Sequence, residues 1–233
     1  MTRVDNRGWL AVLLFAACSH IADGADITAR IHVDRSDVTK QVSEANVIVW
    51  LSPLDSPVPR PVPRPNVQLL QKNKEFVPHL LVIPTGTSVA FPNMDPFFHN
   101  VFSLFNGKRF DLGLYEAGSR RSVTFDREGV SYIFCNIHPE MGAVVVALSS
   151  PYIGLSDANG LVVIRDVPAG RYRLQTWAEQ LSPAAPSTTD QVIEVRSDPV
   201  NIGALEFRPS NAMTTHHKNK FGKDYPPNTN PHY

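Results

Sequence analysis

Twenty prolines are spread along this chain of 233 residues, and few stretches between them carry a long apolar period of 3.6. A proline inside a helix removes a hydrogen bond and clashes with the preceding turn, so long helices find little room here. Short runs of β-branched and aromatic residues, bounded by turn signals, fill the chain instead. The fold class expected is therefore all-β, built as sandwiches or barrels.

Ile27, Ala29, Ile31 and Val33 alternate with Asp26, Thr28, Arg30 and His32, the pattern of a half-buried strand. Residues 46–51 (NVIVWL) predict a second strand. The stretch 56–65 (SPVPRPVPRP) cannot join a ladder and is expected to run extended as a linker. Strands come densely over 66–149: VQLL, FVPHLLVIP, SVAFPN, SVTFD, VSYIFC and AVVVAL, with turns at Thr85-Gly86 and Glu128-Gly129. Such spacing indicates a sandwich or barrel. Over 150–208 the style changes, with turns at Asp157–Gly160 and Val167–Gly170 and strands LVVI, RYRLQTW and QVIEVR. The stretch 209–233 is polar and aperiodic and is expected to be disordered.

Arg3 and Arg7 precede a short apolar run from Trp9 to Cys18, and Ala22-Asp23-Gly24 offers a small-residue cleavage site. Residues 1–24 are thus expected to be a secretory signal peptide. The run is too short to span a bilayer, and no transmembrane segment is expected later in the chain. Processing at Cys18 as a lipoprotein is the alternative, against which stands Phe15 where a leucine is usual. Either route exports the chain, and the periplasm is the expected location. The 22 basic and 22 acidic residues cancel without a Lys/Arg stripe, which removes the electrostatic reason to expect nucleic acid as a partner.

Loss of 1–24 would leave Cys135 as the only cysteine. An odd thiol in an oxidising compartment calls for a reason. Taken alone, a buried cysteine acting as a small hydrophobe is the common one. In YIFCNIHPEM (132–141), however, His138 and Met141 follow in the same loop, and FPNMDPFFHN places His99 at the start of another strand. A thiolate, two imidazoles and a thioether form the soft, mixed donor set of a copper site, and His2Cys with a long axial Met is the blue-copper arrangement. Structural zinc would favour more thiolates and no thioether. A Cys–His nucleophilic pair would want an orienting third residue and oxyanion donors, and no motif supplies them. His216 and His217, adjacent on an irregular tail, supply no closed geometry.

On these residues the stretch 66–149 resembles a cupredoxin of the plastocyanin and amicyanin type. KEFVPHLLVIPTGTSVAFPNMDPFFHNVFS is similar to the family's strand, turn, strand and HNV ligand segment, and Cys-x-x-His-x-x-Met with Pro139 resembles the short amicyanin loop. The longer chain resembles bacterial proteins labelled methylamine utilisation proteins. SDANGLVVIRDVPAGRYRLQTW resembles half of a carboxypeptidase-regulatory or transthyretin-like Ig sandwich, with 25–55 as its other half and the copper domain inserted between. The fold implied is a cupredoxin Greek-key β-sandwich plus a small Ig-like β-sandwich.

The resemblance implies one type 1 copper per chain, held by His99, Cys135, His138 and, weakly, Met141. It implies that the side chain of Asn100 ties the two ligand loops together. An edge of His138 would reach the surface through an apolar patch, with Pro96, Phe97, Phe98, Pro139 and Gly142 as candidates. Phe97 and Phe98 read equally well as core. Glu140 departs from an apolar loop. The leading function is single-electron transfer, without catalysis, with a redox protein such as a c-type cytochrome or a periplasmic dehydrogenase. The alternative is a binding module for a protein or glycan in which copper is structural or absent.

Overall fold

The computed structural model describes residues 24–36, 42–104, 107–185, 190–211 and 217–225. The expected signal peptide, the Cys18 alternative and His216 lie outside the described residues. Every regular element among those described is a strand, and the strands form two sandwiches, as the proline distribution and turn spacing lead one to expect.

The first sandwich takes its strands from both ends of the chain. One sheet has the order β14 (Leu161–Val167), β1 (Ala25–Val33), β18 (Val200–Pro209) and β16 (Leu181–Pro183). The other has the order β13 (Ile153–Leu155), β2 (Ile48–Pro53), β15 (Gly170–Trp177) and β17 (Gln191–Val195). Strand β1 buries Ala25, Ile27, Ala29, Ile31 and Val33 and turns the intervening polar residues outward. It pairs antiparallel with β14 and parallel with β18, so strands more than a hundred residues apart share one core. The turn before β14 is an Asx turn in which Asp157 Oδ1 accepts from the N–H groups of Asn159 and Leu161. Gly160 closes it at φ 73°, where a Cβ would stand 2.7 Å from the carbonyl oxygen of Ile31.

The second sandwich is built from the intervening strands. A five-stranded sheet has the order β6 (Leu80–Pro84), β12 (Gly142–Leu148), β11 (Gly129–Phe134), β8 (His99–Ser103) and β9 (Phe110–Tyr115). It faces a three-stranded sheet of β10 (Arg120–Phe125), β7 (Thr87–Pro92) and β3 (Val67–Gln68). A hairpin of β4 (Leu70–Lys72) and β5 (Glu75–Val77) completes the set. The core between them includes Phe91, Val101, Phe125, Ile133, Cys135, Met141 and Val145.

A third apolar layer joins the sandwiches. Val144, Val146 and Leu148 of β12 point away from their own core and meet Ile48 of β2, with Trp50, Tyr132 and Trp177 around them. Both β2 and β12 are thus buried on both faces. The central parts of their sequences, IVWL in β2 and AVVVAL in β12, are continuous apolar runs rather than alternations because both faces are covered.

Candidate metal centre

Cys135 follows the last residue of β11, and β12 begins seven residues later at Gly142. Phe134 pairs with Gly142 in register, so 135–141 is the hairpin connection between the two strands. Two backbone bonds tighten it: Cys135 N–H donates to the Met141 carbonyl at 3.1 Å, and Met141 N–H donates to that of His138 at 3.1 Å. On the other side of β11, Phe134 pairs with Phe102 of β8, which places the start of β8, His99, beside the loop.

The sulfur of Cys135 lies 3.5 Å from His138 Nδ1 and 3.8 Å from His99 Nδ1. Among the described residues, His99, Cys135 and His138 offer three donor atoms all within 4.8 Å of one another. His99, Cys135 and Met141 are fully buried, and His138 is half-buried. The imidazole planes of His99 and His138 meet edge to face at 4.8 Å, and Phe97 closes against both, at 5.2 and 5.7 Å. Phe98 stands 52% exposed, with Met94 and Ile137 also at the surface, so of the two phenylalanines one lines the imidazoles and the other faces solvent.

Burial governs the protonation of this group when no metal is bound. It holds His99 below its usual range, although the Asp95 hydrogen bond pulls the other way. It pushes His138 down to about 4, assisted by the neighbouring His99. It raises the Cys135 thiol, against the N–H groups of Asn100, Ile137 and His138 that face the sulfur. The metal-free group is therefore two neutral imidazoles around a thiol, and a cation entering it displaces one proton.

Asp95 is the member that reading the sequence missed. Its Oδ2 lies 2.8 Å from His99 Nε2, and its two oxygens also accept from Asn73 N–H at 2.6 Å and Lys74 N–H at 2.9 Å. Asn73 and Lys74 both have positive φ, 57° and 60°, so the carboxylate pins a strained hairpin turn and the imidazole together. With Nε2–H donated to Asp95, the lone pair of Nδ1 is left facing the sulfur. The signal was present as an acidic residue four positions before His99, but the intervening Pro96-Phe97-Phe98 hides a spacing that matters only once the turn is formed.

Asn100 follows His99 on β8, between the site and β9. Its side-chain amide donates to Asp111 Oδ1 at 2.8 Å on β9, and it is its backbone N–H that faces the Cys135 sulfur. Residues 217–225, which composition assigns to a tail without structure, lie against the site loop: Tyr225 Oη donates to the Cys135 carbonyl at 2.7 Å.

The donor chemistry fits copper: a buried sulfur, two imidazole nitrogens aimed at it and a thioether in the same loop form a soft set that hard cations do not favour. No family model matches the chain, and no curated protein matches it. Among solved structures it is similar to a purple cupredoxin from Nitrosopumilus maritimus, at 28% identity over 36% of this chain and 100% of that one, with a TM-score of 0.33. It is also similar to an amicyanin from Paracoccus versutus, at 23% identity over 37% and 85% of the two chains, with a TM-score of 0.33. A copper-containing nitrite reductase from Thermus scotoductus shares 25% identity over 42% of this chain and 25% of its own length, with a TM-score of 0.34.

Proposed function

We propose that this chain is an exported electron-transfer protein carrying one type 1 copper per molecule, bound by His99, Cys135 and His138 with Met141 as a weak axial donor. The observation that supports it best is the convergence of Nδ1, Sγ and Nδ1 within 4.8 Å, with His99 and Cys135 buried and His138 half-buried. Bound copper supplies the one-electron chemistry. The chain's own residues do the rest: the short loop and Asp95 hold the donors still, and burial excludes water. The half-buried His138, packed against Phe97 and beside the exposed Ile137, offers a partner an approach to the site.

Four protein donors would fill the coordination sphere and leave no open position for a substrate, unlike a catalytic metal site. A c-type cytochrome or a periplasmic dehydrogenase is the partner class, methylamine-oxidising or otherwise. The first sandwich is read as the Ig-like module, split around the copper domain, and the periplasm as the compartment reached through 1–24.

The test is the visible spectrum of the copper-loaded protein. A strong thiolate-to-Cu(II) band that disappears in Cys135→Ser while the β-sheet circular dichroism persists supports the reading. A colourless protein that ignores copper supports the binding-module alternative. Binding of added anions to the copper of the unmutated protein, or turnover of a small substrate, would overturn the reading in favour of an enzyme.

A further inference from the structure

Residues 217–225 touch three consecutive residues at the point where β11 delivers its cysteine. The His217 ring stacks on Phe134 at 4.1 Å and 20° between planes. Tyr225 Oη donates to the Cys135 carbonyl at 2.7 Å, and Lys220 N–H donates to Asn136 Oδ1 at 2.9 Å. Tyr225 and His217 brace one another, with Oη 3.3 Å from Nδ1 and the rings at 88°. A further contact reaches the other ligand strand: Lys220 Nζ binds Asp111 Oδ2 at 2.8 Å, and Asp111 Oδ1 holds the side chain of Asn100, next to His99.

Phe221, at the bend of the segment, is 71% exposed, so its burial does not hold the segment in place. Polar contacts and ring stacking carry it, and they fall on the backbone and neighbours of Cys135 and His99 rather than elsewhere on the surface. From this geometry we infer that 217–225 is a clasp for the metal loop, with Tyr225 a positioning residue that acts through the Cys135 carbonyl. It restrains the sulfur in both the metal-free and the loaded protein, and it draws electron density from the cysteine through the hydrogen bond. The part concerning the loaded protein rests on the copper reading above; the restraint on the thiol does not.

The test compares Tyr225→Phe and Tyr225→Ala with Tyr172→Phe. Tyr172 donates to a backbone carbonyl, that of Pro168 at 2.9 Å, but in the other sandwich, so it reports the generic effect of losing a tyrosine hydroxyl. In metal-free protein the probe is reaction of Cys135 with an aromatic disulfide. Loss of one neutral hydrogen bond corresponds to a rise of about two- to tenfold in the modification rate for Tyr225→Phe, and more for Tyr225→Ala, with Tyr172→Phe unchanged. In copper-loaded protein, release to a chelator should quicken by a similar factor and the reduction potential should fall. Lowered potential is an effect that mere support of the fold would not produce. Equal thiol reactivity in all three variants and the unmutated protein overturns the clasp. If the unmutated protein takes up no copper, the copper reading fails, and the thiol rates alone still decide whether the clasp exists.

Discussion

His99 Nε2 and Asp95 Oδ2 stand 2.8 Å apart inside the protein, the imidazole fully buried and the carboxylate nearly so. The carboxylate orients the ring and adds negative charge behind it, which favours the higher oxidation state of a metal bound at Nδ1. Replacing it by the neutral amide, Asp95→Asn, is expected to weaken copper binding by about 10–100-fold and to raise the reduction potential. Competition against a chelator and voltammetry measure the two effects; unchanged affinity and potential would show that Asp95 serves the Asn73-Lys74 turn alone.

Copper uptake should depend on pH through the sulfur. Burial raises the Cys135 thiol, so metal entry displaces one proton from it, and affinity should fall about tenfold for each unit of pH lost while that remains the single proton released. His138 adds little to this above pH 5, since it is pushed down to about 4 and is already neutral there, and burial holds His99 below its usual range as well. Titration calorimetry in two buffers of different ionisation enthalpy counts the protons. A count near two at pH 6 would show that a histidine is protonated as well.

His79 bridges the two sandwiches at its ring nitrogens, with Nδ1 3.1 Å from the Gly142 carbonyl and Nε2 2.6 Å from Glu179 Oε2. Both neighbours are acceptors, so only the imidazolium satisfies both. Its pKa is raised chiefly by the Glu179 hydrogen bond. For a raised histidine, the stabilisation is present in full below the unfolded value of about 6.5 and is lost as pH rises through the folded value. The unmutated protein should therefore lose a little stability between neutral and mildly alkaline pH, and His79→Gln should not. Half of the His79 side chain is exposed, so screening keeps the effect small. Urea midpoints across that range test it, and parallel curves for the two proteins would rule the bridge out.

Ile48 is buried against Val144, Val146 and Leu148 across the two sandwiches. Truncation to alanine, Ile48→Ala, should cost about 2–5 kcal/mol. Ile48→Asp, which places a charge in the same layer, should uncouple the sandwiches into two calorimetric transitions where the unmutated protein shows one. The same layer bears on an isolated 66–149 fragment. Cut free, it presents Leu80, Val82, Val130, Val144 and Val146 to water, so it should aggregate unless those positions are made polar.

Strands with one wet face were readable from their alternation, as in β1, and turns such as Asp157–Gly160 from their side chains. The convergence of His99, Cys135 and His138 was readable because two of them sit within four residues and the third heads an HNV segment. What could not be read depends on tertiary contact. NVIVWL and AVVVAL were visible as strands, but an unbroken apolar run does not say which partner covers its second face. Asp95 needed the hairpin turn to exist before its distance from His99 meant anything. Tyr225 and Lys220 act through backbone and amide groups of the loop, so no residue pattern along the tail announces them.

The strands of the first sandwich are made in two instalments, with Pro53 at the end of β2 and Ile153 at the start of β13. During synthesis β1 and β2 emerge with their sheet partners still to come, and closing a floppy loop of roughly a hundred residues would be entropically slow and costly. In the fold the two ends of that loop lie side by side, Ile153 pairing with Trp50, and an intervening sandwich that folds first shortens the search that brings them there. Assembly should thus run from the middle of the chain outward. Newly made molecules would pass through a stage in which the second sandwich is formed while β1 and β2 still wait for partners, the stage most exposed to proteases and to chaperones that recognise unpaired strands.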